Sequence, residues 1–313
     1  MSAHFARRAL LVLLPALTLL AGPREGAIPR DGFILHYRAS GTGIPLVLLS
    51  GGPGLDVDYL EPVAGKLREW NKGKVVLLEQ RGTGRSLLPA VTSTTMNLDL
   101  AVEDLEALRT DLGGRPLTLV GHSWGGILAL AYAARYPKQT AALVLIDSGG
   151  MDMGFNQAFR DNINARMTPQ QRAASARAMQ ALMEGKDPCG HLLELVRADS
   201  ATYFYDRKMG QTFAEGIRPE SFHCEVAMVL GQSLGGLNLR DRLTNFSNPV
   251  LILQGHQDPM PESVACDNHH VLKGSKLVFL DKAGHFPWLE QPEATFRAIT
   301  DFLDTVVKQP RKR

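Results

Sequence analysis

Gly121-His122-Ser123-Trp124-Gly125-Gly126 decides the fold of this 313-residue chain. An apolar run at 117–120 precedes it, and a helix-like stretch at 127–136 follows. An apolar strand, a sharp glycine-flanked turn carrying one serine, and then a helix form the context of a nucleophile elbow. Glycines on either side let the backbone turn tightly, so the Ser123 hydroxyl stands exposed above the end of a sheet. A chance Gly-x-Ser-x-Gly is the plainer account of six residues alone. The flanking strand and helix, and the partners below, weigh against it.

A serine nucleophile needs a base, and the base needs an orienting acid. Val250-Leu251-Ile252-Leu253-Gln254 reads as a buried strand, followed by Gly255-His256-Gln257-Asp258-Pro259. A short strand at 276–280 is followed by Lys282-Ala283-Gly284-His285. Ser123, Asp258 and His285 thus each lie just past a strand's C-terminal end, and in a parallel sheet those ends converge on one rim. Asp147, which ends the strand-like 142–146, is a rival acid that could also reach the histidine. Among other histidines, His256 reads as a loop residue, and His269 and His270 as solvated. His122 is expected to pack or hydrogen-bond at the elbow.

Acyl chemistry also needs donors aimed at the oxyanion. The backbone N–H of Trp124, just after the serine, is one. The loop Ser50-Gly51-Gly52-Pro53-Gly54, after the strand-like 45–49, offers the N–H of Gly52 as the second. Arg81 and Arg85 sit in a Gly-x-Gly loop lacking the third glycine of a dinucleotide fingerprint and the lysine of a P-loop, so they read as bracing residues. No cofactor is expected, and no Cys/His spacing resembles a metal site.

These residues resemble the α/β-hydrolase superfamily, and within it the proline iminopeptidase group. That group shows His-Gly-Gly-Pro-Gly at the oxyanion loop, Asp-Gln-Arg-Gly-x-Gly-x-Ser after the next strand, and Trp after the nucleophile. Here the corresponding residues are Ser50-Gly51-Gly52-Pro53-Gly54, Glu79-Gln80-Arg81-Gly82-Thr83-Gly84-Arg85-Ser86 and Ser123-Trp124. Ser50 replaces the family His and Glu79 the family Asp, which weakens assignment to the strict peptidase. The resemblance implies a helical cap whose carboxylates bind the substrate's N-terminal amine. Glu184, Glu194, Glu215 and Glu225 are candidates, against the simpler reading of each as a solvated helix residue. It further implies a serine hydrolase releasing an N-terminal residue such as proline from small substrates or short peptides. A carboxylesterase or lactonase is the alternative, and a catalytically silent binding protein the reading from another class. Dehalogenases and epoxide hydrolases of this fold would call for an aspartate at position 123.

Composition agrees with a globular chain: 44% hydrophobic, 21% charged, net charge +2, which gives no argument for a nucleic-acid partner. Strand-like runs at about 33–38, 45–49, 74–79, 117–121, 142–147, 249–254 and 276–281 alternate with helical stretches such as 99–108 and 292–307. That rhythm implies an α/β architecture, a mostly parallel sheet with helices on both faces. It stops between 150 and 244, which reads as the inserted helical cap. The expected layout is therefore an N-terminal segment 1–27, core 28–150, cap 151–244, and core 245–313 ending in a basic tail.

Arg7 and Arg8 precede a thirteen-residue apolar run, 9–21, too short to span a bilayer comfortably, where about 20 residues are needed. Positive flank and short apolar run read as an export signal, with an uncleaved tether as the alternative. In an exported chain, Cys189 and Cys224, both in the insert, are the natural pair, leaving Cys266 over.

Overall fold

The computed structural model describes residues 24–70 and 72–308. The apolar run of the expected export segment and the basic tail at 311–313 lie outside them. Eight strands make one sheet: β1 (Arg24–Arg30), β2 (Phe33–Ser40), β3 (Ile44–Leu49), β4 (Gly73–Leu78), β5 (Leu117–His122), β6 (Thr140–Ile146), β7 (Val250–Gly255) and β8 (Lys276–Leu280). Their order is β1-β2-β4-β3-β5-β6-β7-β8. β1 and β2 join antiparallel, as do β2 and β4, and every pairing from β4 to β8 is parallel.

The helices are α1 (Glu61–Trp70), α2 (Leu98–Asp111), α3 (Trp124–Arg135), α4 (Asn156–Arg166), α5 (Pro169–Met183), α6 (Pro188–Ser200), α7 (Arg207–Gly216), α8 (Cys224–Ser233), α9 (Arg240–Leu243), α10 (Glu262–Val271), α11 (Pro287–Glu290) and α12 (Pro292–Lys308). Both faces of the central strands are covered, so these strands read as continuous apolar runs. Side chains still alternate between the faces. Leu46 and Leu48 of β3 pack with Val63 and Leu67 of α1 and Ile299 and Leu303 of α12. Val47 and Leu49 pack on the opposite side with Leu105 and Leu108 of α2 and Leu128 and Tyr132 of α3.

β1 corrects the expected boundary at 27: the sheet begins at Arg24, inside the segment set apart as N-terminal. Its burial alternates only between exposed and half-buried, so the sequence carries no apolar signal for it. Backbone pairing to β2 along its whole length holds it instead. Arg30 adds an ion pair to buried Asp104 of α2, which Arg81 also grips.

The strand order reverses at β3, whose neighbours are β4 on one side and β5 on the other. At such a switch point the loops leaving adjacent strands part to opposite faces and open a crevice. Here those loops begin at Ser50 and Ser123. Between β6 and β7 the chain forms only helices, α4 to α9, apart from an isolated bridge of Leu55 with Phe222 and another of Asp152 with Asn238. Among the described residues no helix is long and apolar enough to cross a membrane.

Cys189, opening α6, is bonded to Cys224, opening α8, with Cα atoms 5.4 Å apart across 35 residues of sequence; Cys266 is free and exposed. Closing a loop of that length stabilises the fold by about 3–4 kcal/mol in the chain-entropy description. Replacing both cysteines by serine is therefore expected to lower the midpoint of thermal unfolding by several degrees, read by calorimetry against the oxidised parent. An unchanged midpoint would remove the bond from the account of cap stability.

Candidate active site

The turn at Ser123 is sterically demanding. The residue has φ 55° and ψ −118°, outside ordinary backbone regions. Such a conformation costs a side-chain-bearing residue about 1–3 kcal/mol and persists only where its surroundings hold it. They do so through main-chain bonds: Ser123 N–H donates to Ile146 O (3.1 Å), and Ser123 O accepts from Gly126 N–H (3.0 Å) and Gly149 N–H (3.2 Å). A Cβ on Gly121 would collide with the Gly125 carbonyl, and one on Gly125 with the Leu49 carbonyl. Glycine is required at both positions by close backbone approach, and the half-exposed serine is left at the cavity wall.

His285 follows β8 and lies against the same cavity. Its Nδ1–H donates to the Asp258 carboxylate, at 2.9 Å from Oδ2 and 3.0 Å from Oδ1. Met260 N–H donates to the same carboxylate at 2.8 Å. That geometry fixes the ring tautomer, leaving Nε2 as the basic nitrogen. Burial holds His285 neutral by pushing its pKa down to about 4. Asp147, the rival acid, is fully buried beside the pair but makes its own bond to Gly255 N–H (2.8 Å). Asp258 is the acid that engages the histidine.

Gly52 and Trp124 both line the cavity with Ser123. Gly52 has φ +114°, a conformation that favours glycine. The neighbouring Gly51 N–H is already taken by the Tyr59 hydroxyl at 2.6 Å. Gln80 fastens the two loops together: its Nε2–H2 donates to Ser50 O and Oγ, both at 2.9 Å, and its Oε1 accepts from Trp124 Nε1–H at 3.0 Å. Ser50, where the resembled group has His, is thus a partner of Gln80. Glu79 accepts from Arg85 N–H and its guanidinium. Arg81 pairs with Asp104, so both arginines brace the loop that follows β4.

His122 links the two halves of the site. Its Nε2–H donates to the His285 carbonyl (2.8 Å), so Nδ1 must accept from the Tyr59 hydroxyl (2.8 Å). Burial holds this ring well below the usual histidine pKa, hence neutral, as the two bonds require. A chain from Gly51 through Tyr59 and His122 therefore ties the Gly51–Gly52 loop to the main chain of His285. The sequence pointed to a packing role for His122; Tyr59, eight residues beyond Gly51 in a stretch with no motif of its own, gave no signal.

None of the cap glutamates lines the cavity. Glu184, Glu194, Glu215 and Glu225 are exposed on their helices. Glu184 is paired with Lys186, and Glu215 with Gln211. They fall on solvent-facing positions, so the amine-binding expectation fails for Glu184, Glu215 and Glu225 alike. The acid that reaches the cavity is Asp199, in the last turn of α6. It is buried, ion-paired to Arg160 through Oδ2, and among the described residues its Oδ1 has no hydrogen-bond partner. An acid at a helix C-terminus opposes the helix dipole, and that unfavourable placement was the available sequence signal. The cavity, of about 240 Å³, is otherwise largely apolar and aromatic, with Ile127, Phe155, Phe159, Tyr203 and Phe286 on its walls.

The sequence pattern described as "Alpha/beta hydrolase family" matches residues 46–298. A proline iminopeptidase of Saccharolobus solfataricus is 29% identical over 285 residues, covering 86% of this chain and 88% of that protein. A proline iminopeptidase of Clostridioides difficile is 27% identical over 297 residues, covering 90% and 98%. Among solved structures, the proline iminopeptidase of Mycobacterium smegmatis superposes with a TM-score of 0.69 at 21% identity, over 91% of this chain and 99% of that one, a likeness of fold. With the parallel sheet, its helices on both faces and the strand–serine–helix turn at the switch point, these matches establish that the chain is a hydrolase belonging to the alpha/beta hydrolase family.

Proposed function

We propose that the protein is a serine hydrolase that releases an N-terminal residue, proline or one of similar size, from short peptides. The observation that carries the reading is His285, bonded to Asp258 and set in the wall of the cavity that Ser123 enters. Ser123 attacks the scissile carbonyl while His285 Nε2 takes its proton, with Asp258 holding the ring. The N–H groups of Gly52 and Trp124 receive the oxyanion. His285 then returns the proton to the leaving amine, and water resolves the acyl-enzyme by the same path.

The peptidase assignment draws on the relatives named proline iminopeptidase and on Asp199. A substrate ammonium seated against the unpartnered Oδ1 would gain a charge-assisted bond in an apolar cavity, where a neutral group would leave that oxygen unsatisfied. The small cavity volume suits one residue and its leaving group. One observation favours the second reading, a carboxylesterase or lactonase. Arg160 already neutralises Asp199, so the apolar cavity is electrically balanced before any amine arrives. Export remains part of the proposal, supported by the disulfide, which fits an oxidising compartment.

Ser123→Ala is expected to lower turnover by about three to six orders of magnitude, measured with a prolyl aryl-amide and a short-chain aryl ester. The free-amine amide should exceed its N-acetyl form, and Asp199→Asn should cut that preference by about 10- to 100-fold. Equal rates for both forms in the parent would instead support the ester reading. Because burial depresses the His285 pKa, its basic form persists as the medium is acidified. Activity is lost as pH falls through the lowered value, so the acidic limb of kcat/KM should lie below the ordinary imidazole 6.5. A limb above that value would contradict the assigned cause.

A further inference from the structure

Beneath the histidine lies a second carboxyl group that the mechanism above does not use. Asp147 directly follows β6, with φ 44° and no solvent exposure. Its N–H donates to Leu253 O (2.8 Å), and its Oδ1 accepts from Gly255 N–H (2.8 Å). Its Oδ2 is buried and finds no donor among the described residues. Beside it lies Asp258, whose carboxyl group is its buried acidic neighbour. One polar atom each of Asp147, Asp258 and His285 lies within 4.8 Å of the others.

Two carboxylates can only accept, so two ionised groups in a dry site repel without any compensating bond. One proton between them converts the contact into an O–H···O⁻ bond, among the stronger kinds. The surrounding donors decide which group holds that proton. Asp258 receives Met260 N–H and His285 Nδ1–H, whereas Asp147 receives only Gly255 N–H. The other groups acting on the cluster are Arg166 of α4, which favours a negative charge on Asp258, Tyr203, a buried phenol, and His122, neutral beside His285. They leave Asp258 as the anion.

The geometry points to Asp147 as a neutral carboxylic acid whose Oδ2–H donates to Asp258, so that the pair carries one charge and Asp147 positions the acid that orients His285. The inference rests on the reading of Asp258 as that acid. Burial and the neighbouring Asp258 carboxylate hold the Asp147 proton well above the usual carboxylate range; burial raises Asp258 too, but Asp147, the Met260 N–H and the Arg166 charge oppose that rise. Asp147 is a positioning residue: it touches Asp258, not substrate.

An asparagine reproduces a neutral acid, with an amide N–H for Asp258 and a carbonyl for Gly255 N–H; an alanine supplies neither. Asp147→Asn is therefore expected to keep kcat within about threefold of the parent, and Asp147→Ala to lose about 10- to 100-fold in kcat with little change in KM. Stability gives a readout independent of turnover. The folded-state pKa is raised above the unfolded value, so the associated stability is full below the unfolded pKa and is lost as pH rises through the raised one. The parent's Tm should fall over that interval more steeply than that of Asp147→Asn. The infrared carbonyl band of a protonated carboxyl at neutral pH should also disappear in the variant.

A loss in Asp147→Asn as large as in Asp258→Asn, with no change in the pH slope of Tm or in the infrared band, would overturn the proposal by making Asp147 an ionised acid. Full activity in Ser123→Ala and Asp258→Asn would instead strike the hydrolytic reading, while the infrared and stability results would still decide the protonation of Asp147.

Discussion

The structure depends on one turn in which the chain must pass from β5 to α3 within a single residue. A side chain at Gly121 or Gly125 would meet main-chain oxygen directly, so the close packing of α3 against the sheet and the backbone of Ser123 are fixed together. The strain at Ser123 is maintained by main-chain bonds to Ile146, Gly126 and Gly149. Those bonds fasten it to β6, α3 and the segment leading into the cap. The hydroxyl is consequently presented by the rigid centre of the molecule, at the point where strand order reverses.

From this point the site is organised as three loops drawn together by buried polar side chains. Gln80 spans from Ser50 to Trp124, tying the loop after β3 to the elbow. Tyr59 and His122 carry a second link from Gly51 to the carbonyl of His285. Asp147 and Asp258 form the floor beneath the imidazole, between β6 and β7. Apart from Asp147 Oδ2, the polar side-chain atoms of these links are hydrogen-bonded, which makes the loops hold one arrangement rather than several. Over this rigid rim the cap contributes shape and one acid, Asp199, on a helix stapled by Cys189–Cys224.

Much of this was legible in the sequence because it is local. The elbow, the strand-end placement of Asp258 and His285, and the alternation of apolar runs with amphipathic helices are each written within a dozen residues. β1 was not, because its residues are half-exposed and only pairing with β2 makes them a strand. The cap acid was missed for a different reason. Glutamates on amphipathic helices look alike in sequence, and only the packing of α6 shows that Asp199 enters the cavity while Glu184, Glu215 and Glu225 face solvent. The contact of Asp147 with Asp258 joins residues 111 positions apart and depends on the register of β6 against β7.

The most direct measurement is peptide mapping after reaction with an organophosphonate. If the imidazole bonded to Asp258 activates the Ser123 hydroxyl at the cavity wall, a single adduct should form on the peptide containing Ser123, more slowly as His285 becomes protonated. An unmodified Ser123, or an adduct on another residue, would contradict the claim that this turn presents the reacting group.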